Sequence, residues 1–455
     1  MAHTLTEPAT ATNAYRWYVV LLLTLAYVFS FIDRQILSLL IEQIKADLAI
    51  SDTQFSLLSG LAFSLFYAVM GLPIAYLADR FSRVRIIAAG VAFWSLATAI
   101  CGLARNFTHM FLARVGVGIG EAALTPATYS MLSDMFPREK LGRALGTYSM
   151  GAFLGGGLAF LLGGYIIALL KSTPVVELGL LGAVRSWQLT FFIVGIPGLL
   201  IALIILLTVR EARGRATSTA RAPAIGEGLR FVGAHAATFF FLFIGFSFFA
   251  MCQYALMNWT PALYIRKFGL TPTQTGYLLG SVLLVCSTAG AFCSGWLTDF
   301  LQKRNHADAA MLSGIIGAAL MLPAAVGAAL APDLRLSVAL LVPAMFFSSF
   351  PLSTSAASIQ MLAPKHLRAQ IASFFLLVSN IIGMGIGTTL VALITDRYFH
   401  NDRAVDLSLA VVIALAAAAC LFLLGFGRGR YRASLAAQAA STLRPEVRRF
   451  PATTS

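Results

Sequence analysis

The chain has 455 residues, of which 58% are hydrophobic and only 11% are charged, and its mean hydropathy is +0.82. A soluble domain carries about 25% charged residues, so this composition excludes a soluble fold and indicates a polytopic membrane protein. The formal net charge of +14 does not indicate nucleic-acid binding, because much of it falls in short loops, where basic residues set membrane orientation.

Long apolar runs predict about twelve membrane spans, each near the roughly twenty residues that a bilayer requires. Their approximate limits are 17–41, 54–78, 84–104, 107–132, 141–170, 187–209, 237–263, 271–299, 308–331, 334–358, 367–395 and 406–427. Basic residues concentrate in the loops on the side of the termini, which predicts that both termini are cytoplasmic, as in a bacterial inner membrane. The N-terminal segment lacks the features of a removable signal peptide.

The halves of the chain resemble each other at an offset of about 220 residues. "ISDTQFSLLSG" at Ile50 matches "LTPTQTGYLLG" at Leu270, and the same offset relates Asp79 to Asp299. Duplicated halves are expected of a transporter that rocks around a central site. We therefore predict an all-α membrane protein with twelve helices in two pseudo-symmetric six-helix bundles. The predicted units are an N-terminal bundle (1–212), a cytoplasmic linker loop (213–235), a C-terminal bundle (236–430) and a cytoplasmic tail (431–455).

Four charged residues lie within predicted spans: Asp33 and Arg34 in the first, and Arg114 and Glu121 in the fourth. Ionisable residues at membrane depth are costly and are functional candidates by default. At a rise of 1.5 Å per residue, Asp33 and Arg114 lie at similar levels, and Glu121 lies about two turns deeper. We predict that Asp33 is a proton-coupling acid whose protonation state Arg114 controls. The structural alternatives are helix-to-helix ion pairs and, for Glu121, hydrogen bonds to the Gly-rich backbone.

The second half lacks equivalent charges, because the repeat aligns Gln253 with Asp33 and Tyr254 with Arg34. It offers aromatic and small polar side chains instead, which favours an amphipathic or organic-anion substrate, although Phe is also common on lipid-facing surfaces. The candidate cavity-lining residues are Gln253, Tyr254, Phe246, Phe249, Phe347 and Asn380.

A charged turn follows the second span in "LADRFSRVR", and its counterpart in the second half carries Asp299. A purely orienting loop needs no acid, so the predicted role is a cytoplasmic gate between the halves. The alternative is a basic anchor that only fixes orientation. The predicted gate residues are Asp79, Arg80, Arg83, Arg85 and Asp299.

These motifs resemble those of the major facilitator superfamily over the full length of the chain, with Ala75 and Ser82 where Gly is usual in the loop motif. Within it, the chain is most similar to the spinster-like family, through "FIDRQ", "RVGVGIGEAALTPATYSMLSDMFPREKLGRALGTYSMG" and "QMLAPKHLRAQIASFF". The resemblance implies a proton-sensitive Asp33, the partners Arg34, Arg114 and Glu121, and a lysophospholipid- or sphingolipid-like anion as substrate. The anion:cation symporters, which take up sugar acids and similar anions, share these residues and give the alternative substrate class.

Other functional classes find little support in the sequence. The six His residues all lie outside the deep parts of the spans, and the five Cys residues lack pairing or metal-binding spacing. We therefore expect neither an enzyme nor a bound cofactor or metal; a non-transporting receptor is the weaker alternative. The expected partners are a small-molecule substrate, protons and membrane lipids, without nucleic acid, and the expected functional unit is a monomer.

Overall fold

The computed structural model describes residues 12–172, 175–177, 182–210, 225–364 and 367–447. Eleven helical segments in this part are long and apolar enough to cross a membrane. The predicted fourth span consists of two shorter helices in series, so the predicted twelve-helix architecture is confirmed.

The first half contains six spans and a short β-hairpin. α3 and α4 form one continuous span through a π-helical turn at Leu57–Leu61. The elements are α1 (Asn13–Leu39), α2 (Ile41–Leu48), α3 (Asp52–Ser56), α4 (Ala62–Arg80), α5 (Arg83–Cys101), α6 (Phe107–Glu121), α7 (Leu124–Met135), α8 (Arg138–Leu169), β1 (Val175–Glu177), β2 (Ala183–Arg185) and α9 (Ser186–Thr208). β1 and β2 pair antiparallel, with Val176 opposite Val184.

The second half repeats this plan. π-helical segments join α12 to α13 and α17 to α18. The elements are α10 (Ile225–Ala234), α11 (Ala236–Phe268), α12 (Pro272–Val282), α13 (Thr288–Lys303), α14 (Ala309–Leu330), α15 (Leu334–Ser348), α16 (Phe350–Leu362), α17 (Arg368–Ser379), α18 (Thr388–Leu393) and α19 (Val405–Val447).

Two of these elements fall where the sequence predicted irregular chain. α10 lies within the predicted linker loop, and residues 211–224 of that loop lie outside the described residues. The predicted tail begins as a continuation of α19, in which Tyr431 is buried and donates a hydrogen bond to the Ser358 carbonyl at 2.8 Å. The first part of the predicted tail is therefore packed against the second half.

The break in the fourth span follows from its sequence. Pro126, three residues into α7, lacks the N–H group that would continue the α6 hydrogen-bond ladder, so α6 ends at Glu121. Glycines allow close packing just before the break. A Cβ at Gly120 would lie 2.7 Å from the Trp94 nitrogen of α5, and a Cβ at Gly118 would lie 2.7 Å from the Phe63 carbonyl oxygen of α4. This packing fixes Glu121 at a helix end inside the bundle.

The bundle has two ends, which we name by the course of the chain. The termini face is where α1 begins and α19 ends, and the far face is the opposite end, where α1 ends and α3 begins. One buried apolar cluster combines far-face residues of the first half, such as Ile36 and Phe55, with the second half, including Trp259. A second cluster consists almost entirely of first-half residues nearer the termini face. The halves are therefore packed together mainly at the far face.

Candidate functional site

The four charged residues predicted within the membrane meet inside the first half. Asp33 and Arg34 lie on α1, and Arg114 and Glu121 lie on α6. Their exposed fractions are 1%, 8%, 0% and 1%, respectively. Charges buried this completely need partners in the protein or a ligand.

Arg34 forms an ion pair with Glu121. Its Nε lies 2.6 Å from Glu121 Oε2, and Nη2 contacts the same oxygen. The guanidinium carbon is 4.8 Å from the ring centre of Phe31, 4.4 Å from that of Phe63 and 5.2 Å from that of Tyr67. Arg34 is therefore held by one carboxylate and three aromatic rings.

Arg114 has a different environment from the predicted one. It donates to two backbone carbonyl oxygens, from Nη1 to Asp33 at 3.2 Å and from Nε to Leu58 at 3.3 Å. The expected proximity to Asp33 is present, but the hydrogen bond goes to the backbone of Asp33 and not to its carboxylate. The depth estimate gives the level of a residue in the membrane, but it does not give the direction in which its side chain points. Arg114 therefore joins α6 to α1 and to the π-helical turn after α3.

The Asp33 carboxylate accepts a hydrogen bond at Oδ2 from Thr98 Oγ1 of α5, at 3.1 Å. Among the described residues, its other oxygen, Oδ1, is buried without a hydrogen-bond partner, and so are Glu121 Oε1 and Arg114 Nη2. Buried polar atoms are almost always satisfied, so three such atoms in one site are unusual. Two free acceptors and one free donor can accommodate a proton and an anionic group.

Five tyrosines lie together on the termini-face side of Arg34: Tyr27, Tyr67, Tyr129, Tyr148 and Tyr254. The ring of Tyr27 stacks on that of Tyr148 at 4.6 Å, and Tyr129 meets Tyr148 edge-on at 5.7 Å. Tyr67 lies near each of the other four.

Sequence reasoning named only Tyr254 of this group, because the five residues are scattered over five helices. The repeat pointed to Tyr254 as a site residue, because it aligns Tyr254 with Arg34. The two residues do lie within electrostatic reach of each other. One pair of positions related by the repeat, Arg34 and Tyr254, is therefore close together at this site.

The other predicted lining residues divide into two groups. Phe246 and Phe249 are fully buried, and the ring of Phe246 fills the space beside Gly314 of α14, so neither offers surface to a ligand in this conformation. Gln253 and Asn380 are half-buried. Phe347 is also half-buried and packs 5.4 Å from the ring of Phe350.

The predicted gate residues lie at the termini face, at the junction of α4 and α5 and near the end of α13. The side chain of Asp79 is outside the described residues. Arg80 covers the ring of Tyr76 at 4.3 Å, and Arg83 pairs with Asp134 of the same half at 2.7 Å. Arg85 and Asp299 are exposed. In the described part of the chain, no ion pair joins these gate residues across the halves.

The far face carries a charged network that the sequence did not predict, which we call the far-face cluster: Glu42, Lys45, Asp52, Arg266, Asp396 and Asp402. Asp52 is fully buried at its centre and accepts from Lys45 at 2.6 Å and from Arg266 at 2.6 and 2.7 Å. Arg266 also binds Glu42 at 2.7 Å. Because Arg266 belongs to the second half, these bonds connect the two halves.

Further contacts across the halves surround this cluster. Lys45 binds Asp402 at 2.7 Å, and the Thr53 backbone N–H donates to Asp396 at 2.6 Å. One layer deeper, Ser38 donates to Asn258 Oδ1 at 2.9 Å, and these two positions are related by the 220-residue repeat.

A metal centre is not the best interpretation of the acids at the far face. Carboxylate oxygens of Asp52, Asp396 and Asp402 lie within 4.8 Å of one another. Lys45 and Arg266 already bind Asp52, so its oxygens accept hydrogen bonds from cations of the protein itself. The arrangement is an ion-pair network.

Two six-helix halves, the first of which holds a buried charged site, define a membrane transporter of the two-bundle type. The Major Facilitator Superfamily model matches residues 23–388. The chain therefore belongs to the major facilitator superfamily; it is a multi-pass membrane transporter and not an enzyme.

Individual relatives agree with this assignment. The crystal structure of a bacterial homologue of the human lysosomal transporter spinster, inward-facing and unoccupied, is 29% identical, with a TM-score of 0.75 over 93% of this chain and 98% of that one. An MFS-type efflux pump of Mycolicibacterium smegmatis is 29% identical over 84% of each chain. A probable L-galactonate transporter of Escherichia coli is 27% identical over 67% of this chain and 66% of that one. The predicted similarity to spinster-type transporters is confirmed.

Proposed function

We propose that the protein is a proton-coupled secondary transporter that moves an amphipathic, lipid-like organic anion by alternating access. The observation that carries this proposal is the buried group of Asp33, Arg34, Arg114 and Glu121, which among the described residues keeps two free carboxylate oxygens and one free guanidinium nitrogen. An intramembrane site of this composition suits an anion and a proton together.

Charge balance supports the coupling. Two ionised acids and two arginines sum to zero, so the empty site is neutral when all four are charged. An anion bound at the arginines would leave one uncompensated negative charge in a buried site, which is unfavourable by several kcal/mol. Uptake of one proton by an acid restores neutrality. The arrangement therefore favours one proton for each monovalent anion.

Each residue has a distinct role in this proposal. The free Nη2 of Arg114 and the guanidinium of Arg34 bind the anionic group. An anion at Arg34 competes with Glu121 for that guanidinium, while Asp33 Oδ1 is placed to take the proton. The Thr98 hydroxyl orients the Asp33 carboxylate. The aromatic rings around Arg34 suit the apolar part of an amphipathic substrate.

A second candidate substrate class is a sugar acid or an aromatic acid. The hydroxyl groups of Tyr27, Tyr67 and Tyr254 make no hydrogen bond within the described part of the chain, and so can bind hydroxyl groups of a ligand. The similarity to a probable L-galactonate transporter favours the same class. An alkyl chain would leave these hydroxyl groups without partners.

The two ends of the bundle have complementary roles in transport. Taking the termini face as cytoplasmic, on the distribution of basic residues, the far-face cluster is the outer gate, closed in this structure. Asp79, Arg80, Arg83, Arg85 and Asp299 form the inner gate when the outer gate opens. We propose that the protein works as a monomer with both termini cytoplasmic, in a bacterial inner membrane.

Transport by purified protein in vesicles tests the proposal. Candidate lysophospholipids, sugar acids and aromatic acids are supplied with and without an imposed pH gradient. Asp33→Asn should abolish gradient-driven accumulation and retain gradient-independent exchange, because the amide mimics the protonated acid. Asp47→Asn is a matched control, since Asp47 pairs with Arg185 within the first half at the far face. Gradient-driven accumulation by Asp33→Asn at the wild-type level would contradict the assignment and direct attention to Glu121.

A further inference from the structure

An open apolar groove lies between α5 and α6 on the outer surface of the first half, near the far face. Its volume is about 470 Å³, within the range of small-molecule binding sites. The lining residues are Phe93, Leu96, Ala97, Ile100, Leu103, Ala104, His109, Leu112, Ala113 and Gly116.

The groove has a narrow floor and high walls. Ala97, Ala104 and Ala113 are buried, and with Gly116 they keep the floor free of bulky side chains. The walls are large residues that stand out from the bundle; Leu112 is 62% exposed and Phe93 50% exposed. Single exposed apolar residues are normal on a membrane-facing surface. Small residues in the floor beside large residues in the walls make a shaped site.

One end of the groove is polar and basic. His109 lines it, and Arg105 is exposed in the turn between α5 and α6. The Arg105 guanidinium makes no ion pair or hydrogen bond within the described part of the chain. None of the residues that line the groove is acidic. A basic group at the membrane boundary next to an apolar slot complements a phosphate with an attached hydrocarbon chain.

We propose that this groove binds one acyl chain of a membrane phospholipid, with the lipid phosphate at Arg105 and His109. The site is separate from the transported substrate, because the groove opens to the surrounding bilayer and the charged site faces the bundle interior. The bilayer is the medium next to this surface, so a phospholipid of the far-face leaflet is the occupant.

The position of the groove connects it to the buried charged site. Ala97 precedes Thr98, whose hydroxyl binds Asp33, and Ala113 precedes Arg114. The floor of the groove is thus the outer side of the same helix turns that hold the site. A bound acyl chain stabilises the packing of α5 on α6 and thereby the position of these two side chains.

Photolabelling in nanodiscs tests the site. The probe is phosphatidylglycerol with a diazirine in one acyl chain, and labelled peptides are identified by mass spectrometry. We expect labelling to concentrate on residues 93–116, compared with exposed residues of α9 nearer the far face, such as Ile193 and Ile196. A diacylglycerol with the same diazirine chain has no phosphate for the basic residues to bind. It should label the groove less, by about fivefold for each basic residue that binds the phosphate. Labelling spread evenly over all lipid-facing helices would overturn the proposal.

Two variants separate the chain from the head group. Arg105→Gln with His109→Gln leaves the groove intact and should remove the preference for phosphatidylglycerol over diacylglycerol. Arg335→Gln, at an exposed far-face position of the second half, is the matched control and should keep the preference. Ala97→Leu with Ala113→Leu fills the floor and should reduce labelling by both probes. If neither double variant changes the labelling of 93–116, the groove does not bind lipid in this way.

Discussion

The two ends of the bundle hold the halves in different ways. At the far face, Arg266 of the second half binds Asp52 and Glu42 of the first half. Lys45 of the first half binds Asp402 of the second half. At the termini face, the described ion pairs stay within one half: Arg83 with Asp134 in the first, and Asp308 with Arg428 and Arg432 in the second.

This difference identifies the conformation. Buried ion pairs and one continuous apolar cluster cross between the halves at the far face. Arg80, Arg85 and Asp299 of the predicted inner gate are exposed at the termini face. The site between the two faces is therefore closed toward the far face. Transport requires that the far-face contacts break and that others form at the termini face.

The largest expected effect comes from the centre of the far-face cluster. Asp52→Asn leaves Arg266 and Lys45 without their shared buried carboxylate, and breaking such a pair costs about 3–5 kcal/mol. The closed far face should become less populated by about two orders of magnitude or more. Ser64→Cys, at the contact of α4 with Gly385, reports this change in a background without the native cysteines. Its reaction with an impermeant thiol reagent from the far side should speed up.

The control for this experiment is Asp47→Asn, which removes a far-face ion pair that stays within the first half. It should leave the reactivity of Ser64→Cys unchanged. Equal labelling rates in Asp52→Asn and in the parent protein would show that the far-face cluster does not hold this end closed.

The next effect concerns the termini face. Asp79→Asn and Asp299→Asn should slow transport by roughly tenfold, because each removes about 1–2 kcal/mol of cross-half contact in the opposite conformation. Asp299 is exposed in the present conformation, so Asp299→Asn should not weaken it. Far-side labelling of Ser64→Cys should decrease, while substrate affinity of the inward-facing form stays unchanged. Asp308→Asn is the control, because the ion pairs of Asp308 stay within the second half. An Asp299→Asn variant with parental transport and labelling would argue against gating.

Much of the architecture was predictable from sequence because it depends on local composition. Apolar length gave eleven of the twelve spans to within about five residues at each end, and α19 continues well past its predicted end at residue 427. The cost of intramembrane charge singled out Asp33, Arg34, Arg114 and Glu121 before their meeting was known. Pro126 divides the fourth span, and its position in the sequence is compatible with that break.

The partners within the site were harder to predict, because they depend on the rotation of each helix about its axis. The depth estimate placed Arg114 beside Asp33, yet the carboxylate that binds an arginine is Glu121, with Arg34 as its partner. The far-face cluster was not predicted at all. Its six residues come from distant parts of the sequence, and only the docking of the halves brings them together.

A smaller effect is expected from the hydrogen bond one layer below the far-face cluster. Ser38→Ala removes the bond to Asn258 and with it about 0.5–1.5 kcal/mol of the closed form. Far-side labelling of Ser64→Cys should rise by about two- to tenfold, well below the change in Asp52→Asn. Ser281→Ala is the control, because the Ser281 hydroxyl donates to the Tyr277 carbonyl of its own helix. A larger effect for Ser38→Ala than for Asp52→Asn would show that the Ser38–Asn258 bond, and not the far-face cluster, contributes more to holding the far face closed.

The smallest effect on the opening of either face is expected for Asp308→Asn. Asp308 binds Arg428 at 2.6 Å and Arg432 at 2.9 Å, both within the second half. Burial alone would raise the pKa of Asp308, but the hydrogen bond from Arg428 and the ion pair with Arg432 outweigh it and lower that pKa below its usual range. A lowered pKa in the folded state stabilises the protein above the ordinary pKa of an aspartate and stops doing so as the pH falls through the lowered value.

Asp308→Asn should therefore unfold at a lower temperature than the parent at neutral pH, and the difference should shrink in acid. Labelling of Ser64→Cys should not change, since the substitution breaks no bond between the halves. A thermal difference that grows in acid would contradict the lowered pKa of Asp308. A change in far-side labelling would show that this ion pair acts between the halves.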